Sequence, residues 1–387
     1  MTRIRVLVVD DSVVIRRLVT EALSTDASIE VVGSAPNGRI ALAKVDQLGP
    51  DIVTMDVEMP EMNGIDAVRE LRRTGHSLPI VMFSTLTEKG AAATLDALVA
   101  GASDYVTKPS GSGSVQESLQ RVAEQLLPKI HALVGPQAGS QRGKDGAPSA
   151  AEVVGQHAAG RNLPASRGVP SQRAEPRHPV RAVVLGSSTG GPEALSRLLS
   201  ALGQPLPVPM LVVQHMPPVF TRQLAARLDR LGPSTVVECR GDEELLRGHV
   251  YVAPGNHHLE LRRAGSGLRT ALTQAPPVNF CRPSVDVLFR SAVQVLRGDL
   301  LGVVLTGMGA DGRTGCEDVV TAGGTVMVQD QASSVVWGMP GVVANAGLAH
   351  EIVPLDDMGR VIESFVARSV AHAGARRAPA TSGGAAS

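Results

Sequence analysis

Three short stretches carry residue types that could perform acyl transfer. RAVVLGSSTGGPEAL (Arg181 to Leu195) runs from an apolar strand through a glycine-rich turn onto a helix, and sets Gly186, Ser188 and Gly190 at the spacing G-x-S-x-G. Small flanking residues permit the sharp turn that leaves a serine hydroxyl accessible. Pro192 suits the first turn of the following helix. A glycine-serine turn of this kind is common, and by itself it is a weak sign of a nucleophile, with a loop that merely caps the helix as the plainer reading. LVVQHMPP, however, places His215 where another strand stops, and GVVLTGMGADG places Asp311 in a glycine-rich loop after a third. A serine, a base beside it and an acid to hold the imidazole are the parts of a nucleophilic triad, if the three strand ends share one edge of a sheet. Isolated, His215 or Asp311 would be read as a structural group.

A second set lies nearer the N-terminus. Asp10 and Asp11 follow the first apolar run, Asp56 ends the third, Ser84 the fourth, and Lys108 the fifth. Three carboxylates in one crevice repel unless a divalent cation lies among them, and an all-oxygen set suits Mg²⁺. A lysine and a hydroxyl opposite could hold a phosphoryl group.

The elements that must position these groups are legible as periodicity. Apolar runs at Ile4 to Asp10, Ile29 to Ala35, Asp51 to Asp56, Pro79 to Ser84 and Asp104 to Lys108 alternate with helical patterns. That alternation predicts a five-stranded, doubly wound parallel α/β sheet with its ligands at the carboxyl ends of the strands. Residues 181 to 370 alternate again. Strands are expected at Ala182 to Gly186, Met210 to His215, Thr235 to Cys239, His249 to Ala253, Leu301 to Thr306, Thr325 to Gln329 and Glu351 to Val353, with an antiparallel hairpin around Gly265 and Gly267. This is a second α/β domain with a mainly parallel sheet. Between them, residues 135–179 are rich in Gly, Ser, Pro, Ala and Gln and cannot bury enough surface to offset their ordering entropy, which predicts a flexible tether. The domains are therefore drawn at 1–134 and 180–372, with a disordered tail over 373–387.

Composition excludes several classes. With 37 Lys+Arg against 37 Asp+Glu in 387 residues the formal charge is zero, so no electrostatic footprint for nucleic acid is visible. No apolar run approaches the ~20 residues of a membrane span, and the chain opens directly into a strand rather than a signal peptide; a cytoplasmic protein, not membrane-embedded, is expected. Cys239, Cys281 and Cys316 are far apart, which argues against a disulfide framework or a zinc site. A nucleophile at Cys316 is conceivable, but a buried small residue is the plainer reading. His257 and His258, adjacent on a strand, point to opposite faces and cannot readily share an ion, so no metal is expected in the second domain.

The first constellation resembles the receiver domain of two-component response regulators. The resemblance implies a flavodoxin-like fold, Asp56 as phosphoacceptor, an Mg²⁺ site from Asp10, Asp11 and Asp56, Lys108 on the phosphoryl oxygens, Ser84 and Tyr105 as switch residues, and a cis peptide at Lys108-Pro109. Behind it, GSSTGGPEAL, QHMPPVFT, YVAPGNHHL, RPSVDVLF and LTGMGADG, in that order, resemble the chemotaxis protein-glutamate methylesterase family, CheB. The order Ser188, His215, Asp311 also differs from the serine, acid, histidine order of α/β-hydrolases, so that fold is not implied. The family resemblance implies Ser188 as nucleophile, His215 as base and acid, Asp311 as its orienter, and the Met308 amide as an oxyanion donor, with Thr189 and the amides after Gly190 as helpers. Ser187 replaces the alanine commoner in that turn and raises the question of which serine acts. The implied reaction is hydrolysis of glutamate γ-methyl esters on chemoreceptors, together with glutamine deamidation, under control of a histidine kinase. Arg222 and Arg282 are candidates for receiving an acidic substrate. A silent phosphorelay or scaffold module and an esterase for small metabolites remain open beside it.

Overall fold

A computed structural model describes residues 3–109, 114–135, 174–176, 178–265 and 267–377. The N-terminal unit comprises β1 (Ile4–Val9), α1 (Val13–Ser24), β2 (Ile29–Ala35), α2 (Gly38–Leu48), β3 (Ile52–Asp56), α3 (Gly64–Arg73), β4 (Ile80–Ser84), α4 (Glu88–Val99), β5 (Asp104–Thr107) and α5 (Val115–Val134). Its strands form one parallel sheet of order β2-β1-β3-β4-β5. Alternate residues feed opposite cores: Leu7, Val9, Val53 and Met55 on one face, Val6, Val8, Ile52 and Val81 on the other. Both faces are covered, which is why these strands read as continuous apolar runs. Each of the five helices starts on a polar cap, Ser12, Asn37, Asn63, Thr87 or Ser114, whose side chain accepts an amide that the helix leaves free.

The C-terminal unit comprises β6 (Ala182–Ser187), α6 (Gly191–Ser200), β7 (Met210–Gln214), α7 (Pro218–Leu228), β8 (Thr235–Glu238), β9 (His249–Val252), β10 (His258–Ala264), β11 (Gly267–Thr273), α8 (Val285–Leu296), β12 (Leu300–Val304), α9 (Arg313–Thr321), β13 (Thr325–Gln329), α10 (Met339–Asn345), β14 (Glu351–Val353) and α11 (Leu355–Arg377). Seven strands form a parallel sheet of order β14-β13-β12-β6-β7-β9-β8, and β10 and β11 pair as the predicted antiparallel hairpin. The first strand of the unit, β6, lies in the interior of the sheet. From β6 the chain passes to β7, then to β8 at the edge and back to β9 between them, and only later returns to the other side of β6 for β12, β13 and β14. That reversal creates the crevice where α/β sheets bind ligands.

The helices of this unit begin differently from those of the first. None of α6, α7, α8, α9 and α10 has a side chain capping its own first turn. The amides opening α8 and α9 go instead to two carboxylates of the crevice, described below.

Two boundaries differ from expectation. The tether stops being free before residue 179: the Ala174 amide donates to Glu351 Oε2 at 3.1 Å, the Ala174 carbonyl accepts from Arg368, and the Val180 amide donates to Ser369 Oγ at 3.1 Å. These polar anchors lie almost two hundred positions away in the chain, beyond the reach of a local composition argument. At the other end α11 continues through Arg377, past the boundary drawn at 372. An alanine-rich stretch supports helix wherever a preceding helix has already nucleated it. The rest of the expected tether, 136–173 and 177, and of the expected tail, 378–387, lies outside the described residues.

The two units are packed on each other. One apolar cluster runs from Leu95, Leu98 and Tyr105 into Leu195, Phe220 and Leu224, with α4 against α6 and α7. The Tyr105 and Phe220 rings stack with centroids 4.5 Å apart. Arg227 pairs with Asp96 at 2.5 Å and Arg222 with Glu88 at 3.2 Å at the rim of this contact.

Candidate active site and phosphoacceptor site

In the C-terminal unit the sheet order brings three strand ends together. Ser188 follows β6, His215 follows β7 and Asp311 follows β12, and these are neighbouring strands. The turn at Ser188 is held by its own backbone: the Ser188 amide donates to the Thr306 carbonyl, and the Gly191 amide donates back to the Ser188 carbonyl at 2.8 Å. Gly190 takes a φ of 77°, and a Cβ there would stand 2.6 Å from Val335. At Gly191 a Cβ would lie 1.9 Å from Gln214 Oε1. The glycines are thus required by left-handed backbone and by close approach, respectively.

The two serines are separated by burial. Ser187 is fully buried and its hydroxyl donates to Gln214 Oε1 at 2.7 Å, while Gln214 Nε2 donates to the Ser188 carbonyl at 2.9 Å. Ser187 therefore braces the turn, and Ser188 is the half-exposed hydroxyl upon it.

His215 Nε2 and Asp311 Oδ2 are 2.9 Å apart, and Asp311 is 2% exposed. The carboxylate also accepts Val285 N at 2.7 Å, Ser284 Oγ at 2.8 Å, Asn279 Nδ2 at 3.0 Å and Asp286 N at 3.2 Å. The start of α8 is thus aimed at Asp311, and charge on the acid is favoured by free amides at a helix N-terminus. Burial alone would raise the Asp311 pKa, but the His215 contact and these donors hold it at about 2. Burial alone would lower His215, yet Asp311 and Cys281 together raise it to about 9. Asp286 repeats the device one layer out: its Oδ1 accepts Gly312 N and Gly315 N at the start of α9, at 3.0 and 2.7 Å.

The second imidazole nitrogen, Nδ1, faces Cys281 Sγ at 3.6 Å. Among the described residues no hydrogen bond joins the Ser188 hydroxyl to His215. A cavity of about 500 Å³ reaches His215 past Pro217, Asn256, Cys281 and Arg282.

Of the suggested helpers, Thr189 is turned away. It is buried and its hydroxyl donates to Asp104 Oδ2 of the N-terminal unit at 2.6 Å, so with the two units packed together it serves a contact between them. The backbone amides of Thr189, Gly190 and Met308 carry no intramolecular bond among the described residues, which leaves them as donors. The two arginines also part company. Arg222 is committed to Glu88 and Glu238, whereas Arg282 lines the cavity. Cys316 is buried, with its thiol pushed far up by burial, so it offers no nucleophile. His257 lies outside β10, and His258 is fully buried between the Pro276 carbonyl and the Ser284 amide, as a structural histidine.

Asn279, Cys281, Ser284, Asp286 and Gln214 also belong to the site, though no local pattern in the sequence marks their part in it. Ser284 and Asp286 lay within a recognisable motif, RPSVDVLF, but their partner is 25 or more residues away.

At the carboxyl edge of the first sheet, Asp10, Asp11 and Asp56 bring carboxylate oxygens within 4.8 Å of one another. Lys108 Nζ lies 2.8 Å from both Asp10 Oδ2 and Asp56 Oδ1. Asp10 Oδ2 is buried and, apart from that ion pair, makes no hydrogen bond of regular geometry. Burial and the charge of Asp10 push Asp56 up to about 6 against the opposing pull of Lys108. Oxygen-only donors, clustered negative charge and an under-satisfied carboxylate fit Mg²⁺. Ser84 is turned toward α4, where its hydroxyl meets Thr94 Oγ1 at 2.6 Å and the Gly90 carbonyl at 3.2 Å. Tyr105 is buried against Phe220. The cis X-Pro bond expected at Lys108-Pro109 occurs instead at Arg282-Pro283. The isomers of an X-Pro bond differ little in energy, so surroundings decide which proline adopts cis.

Fold and site together define a response-regulator receiver joined to an α/β output unit that sets a serine, a histidine and an aspartate at one edge of its sheet. The chain matches the family described as CheB methylesterase over residues 183–362 and the response regulator receiver domain over residues 6–120. The protein-glutamate methylesterase/protein-glutamine glutaminase of Nocardioides sp. is 56% identical over 368 residues, which cover 95% of this chain and 97% of that protein. The protein of the same name from Trichodesmium erythraeum is 44% identical over 94% of this chain and 99% of its own length. The crystal structure of the Thermotoga maritima CheB methylesterase catalytic domain is 40% identical and covers 48% of this chain and 98% of its own, with a TM-score of 0.47. The chain belongs to the CheB protein-glutamate methylesterase family.

Proposed function

We propose that this chain is a phosphorylation-gated protein-glutamate methylesterase, hydrolysing glutamate γ-methyl esters of chemoreceptors to glutamate and methanol, and deamidating receptor glutamines at the same site. The observation that carries the reading is the His215–Asp311 pair beside the Ser188 turn at a sheet switch point, with the receiver touching the very next residue through Thr189 and Asp104.

Ser188 Oγ attacks the ester carbonyl and passes its proton to His215 Nδ1, the nitrogen that Asp311 does not hold, which must exchange its 3.6 Å contact with Cys281 Sγ for one with the serine. Asp311 on Nε2 fixes the ring and stabilises the imidazolium. The carbonyl oxygen, negative in the tetrahedral intermediate, takes its hydrogen bonds from free amides such as that of Met308. Collapse breaks the bond to the methoxy oxygen, which leaves as methanol with the His215 proton. Water, deprotonated by the same nitrogen, then cleaves the acyl-serine to glutamate. A glutamine side chain follows the same course with ammonia as leaving group.

A histidine kinase of the chemotaxis pathway supplies the phosphoryl group to Asp56. Asp10, Asp11 and Asp56 would hold Mg²⁺, which when bound offsets their charge and that of the phosphoryl oxygens. Lys108 holds the remaining charge from the other side. The protein acts in the cytoplasm, where the receptor signalling helices are exposed; among the described residues no helix is long and apolar enough to cross a membrane.

The test is methanol release from methylated receptor with and without a small phosphodonor. The wild-type chain is expected to be stimulated by the donor and Ser188→Ala to lose activity by up to ~10⁶-fold. Equal rates with and without donor would remove the gating, and near-normal release by Ser188→Ala would remove the nucleophile.

A further inference from the structure

Beside the candidate active site a two-residue turn holds an unusual side chain. Val278 and Cys281 exchange both backbone hydrogen bonds, at 3.1 and 2.9 Å, so Asn279 and Phe280 are the two central residues of a tight hairpin turn. Both have positive φ, 51° and 63°. Such turns favour Asn or Asp at the first central position and Gly at the second, because side chains resist left-handed backbone. Asn279 follows that rule and recovers more: its amide donates to Asp286 Oδ2 and Asp311 Oδ1, tying the turn to the acid that holds His215. Phe280 breaks it. A phenylalanine stands where glycine would be relaxed, and the residue is fully exposed, at 103% of its reference area, so no packing against the described residues compensates the strain. Unrelieved strain at a rigid point beside a site calls for a role outside the folded chain.

Its neighbours indicate what it meets. Phe280 lines the same cavity as His215, and the next residue, Cys281, faces the imidazole. Two residues on, Arg282 is anchored only to neutral acceptors, namely Asn256 Oδ1, the Gln274 carbonyl and the Ala275 carbonyl. No carboxylate among the described residues offsets its charge. An exposed aromatic ring and a fixed cation therefore flank the cavity mouth, a surface complementary to a helix that shows an apolar seam beside acidic side chains.

We propose that Phe280 is a specificity-determining residue that docks the helical protein substrate, its ring entering the apolar seam while Arg282 faces an acidic side chain of the same helix. The inference rests on the methylesterase reading above. The turn is tied through Asn279 to Asp311, so the docked helix is referenced directly to the catalytic edge.

The test compares Phe280→Gly, Phe280→Leu and the wild-type full chain, all treated with phosphodonor, on methylated receptor and on a small ester such as p-nitrophenyl acetate. For Phe280→Gly, kcat/KM on receptor is expected to fall at least tenfold, mainly through KM. Small-ester turnover should stay within twofold and the melting temperature be unchanged or higher, since glycine relaxes the turn. Phe280→Leu should restore part of the receptor activity. Receptor turnover by Phe280→Gly within twofold of wild type would overturn the proposal, as would an equal fall on both substrates, which would mean that the turn only positions Asp311. Absence of methanol release from receptor by the wild-type chain would instead defeat the methylesterase reading itself.

Discussion

Removal of the Asp104 carboxylate should open the gate without phosphorylation. Asp104 is 5% exposed and sits at the seam, where its Oδ2 accepts Thr189 Oγ1 at 2.6 Å and Lys129 Nζ at 2.5 Å. Lys129 in turn lies 5.8 Å from the centre of the Tyr105 ring, which stacks on Phe220. Hydrogen bonds to a charged group contribute about 1.5–3 kcal/mol. The aromatic pair adds about 0.5–1.5 kcal/mol beyond its buried area. The rim pairs Arg227–Asp96 and Arg222–Glu88 contribute about 0–1 kcal/mol each, since their carboxylates are largely exposed. A gate resting at about 99:1 closed requires roughly 2.7 kcal/mol, half of what a full reversal takes, which these contacts can supply. If Asp104→Ala removes about 2 kcal/mol of it, the closed-to-open ratio falls to about 3:1 and the open fraction rises from about 1% to about 20–25%. Basal methanol release should then increase about 20-fold. The fully phosphorylated rate should hardly change, so stimulation by phosphodonor should shrink from about 100-fold to about fourfold. Circular dichroism of the variant checks that the receiver, which loses the Lys129 partner, is still folded. A folded Asp104→Ala chain with wild-type basal rate and wild-type stimulation would refute the argument.

Two further consequences concern the site itself. Because His215 must be neutral to accept the serine proton and its pKa is raised to about 9, small-ester kcat/KM should climb with pH up to about that value and then level; Asp311→Asn should move the limb toward the ordinary histidine range and lower the plateau, and a profile unchanged by the substitution would contradict the pairing. The sign for stability is fixed by the same shifts: the His215 share is complete below about 6.5 and is lost as pH rises through about 9, and the Asp311 share is complete above about 3.8 and is lost as pH falls through about 2. The melting-temperature gap between wild type and Asp311→Asn should therefore be widest between about pH 4 and 6.5. Ser187→Ala leaves Gln214 Oε1 buried without its partner, so urea denaturation should show a loss of about 1–3 kcal/mol. Its turnover should remain near wild type, whereas a loss comparable with that of Ser188→Ala would make Ser187 the reacting group.

Much of this protein is determined by local sequence. The strands of both sheets are apolar runs because parallel strands are buried on both faces, and their limits agree with the pattern to within a residue or two. Polar residues ending those runs, Asp10, Asp56, Ser188 and His215 among them, mark strand ends, where ligands bind in such sheets. The order of motifs separates this chain from hydrolases with the same elbow spacing. Tertiary structure decided what each of these groups does with its hydrogen bonds. Only the sheet order places β12 and β7 on either side of β6, and so brings Asp311 to His215 across 96 positions of chain. Thr189 reads locally as a helper in the turn, yet a carboxylate 85 positions earlier claims its hydroxyl. Ser187 and Ser188 are chemically identical in the sequence and differ only in that one side chain points into the core. A hydroxyl, an amide or a guanidinium carries the same chemistry wherever it occurs; its partner and its exposure are set by contacts that no local pattern contains.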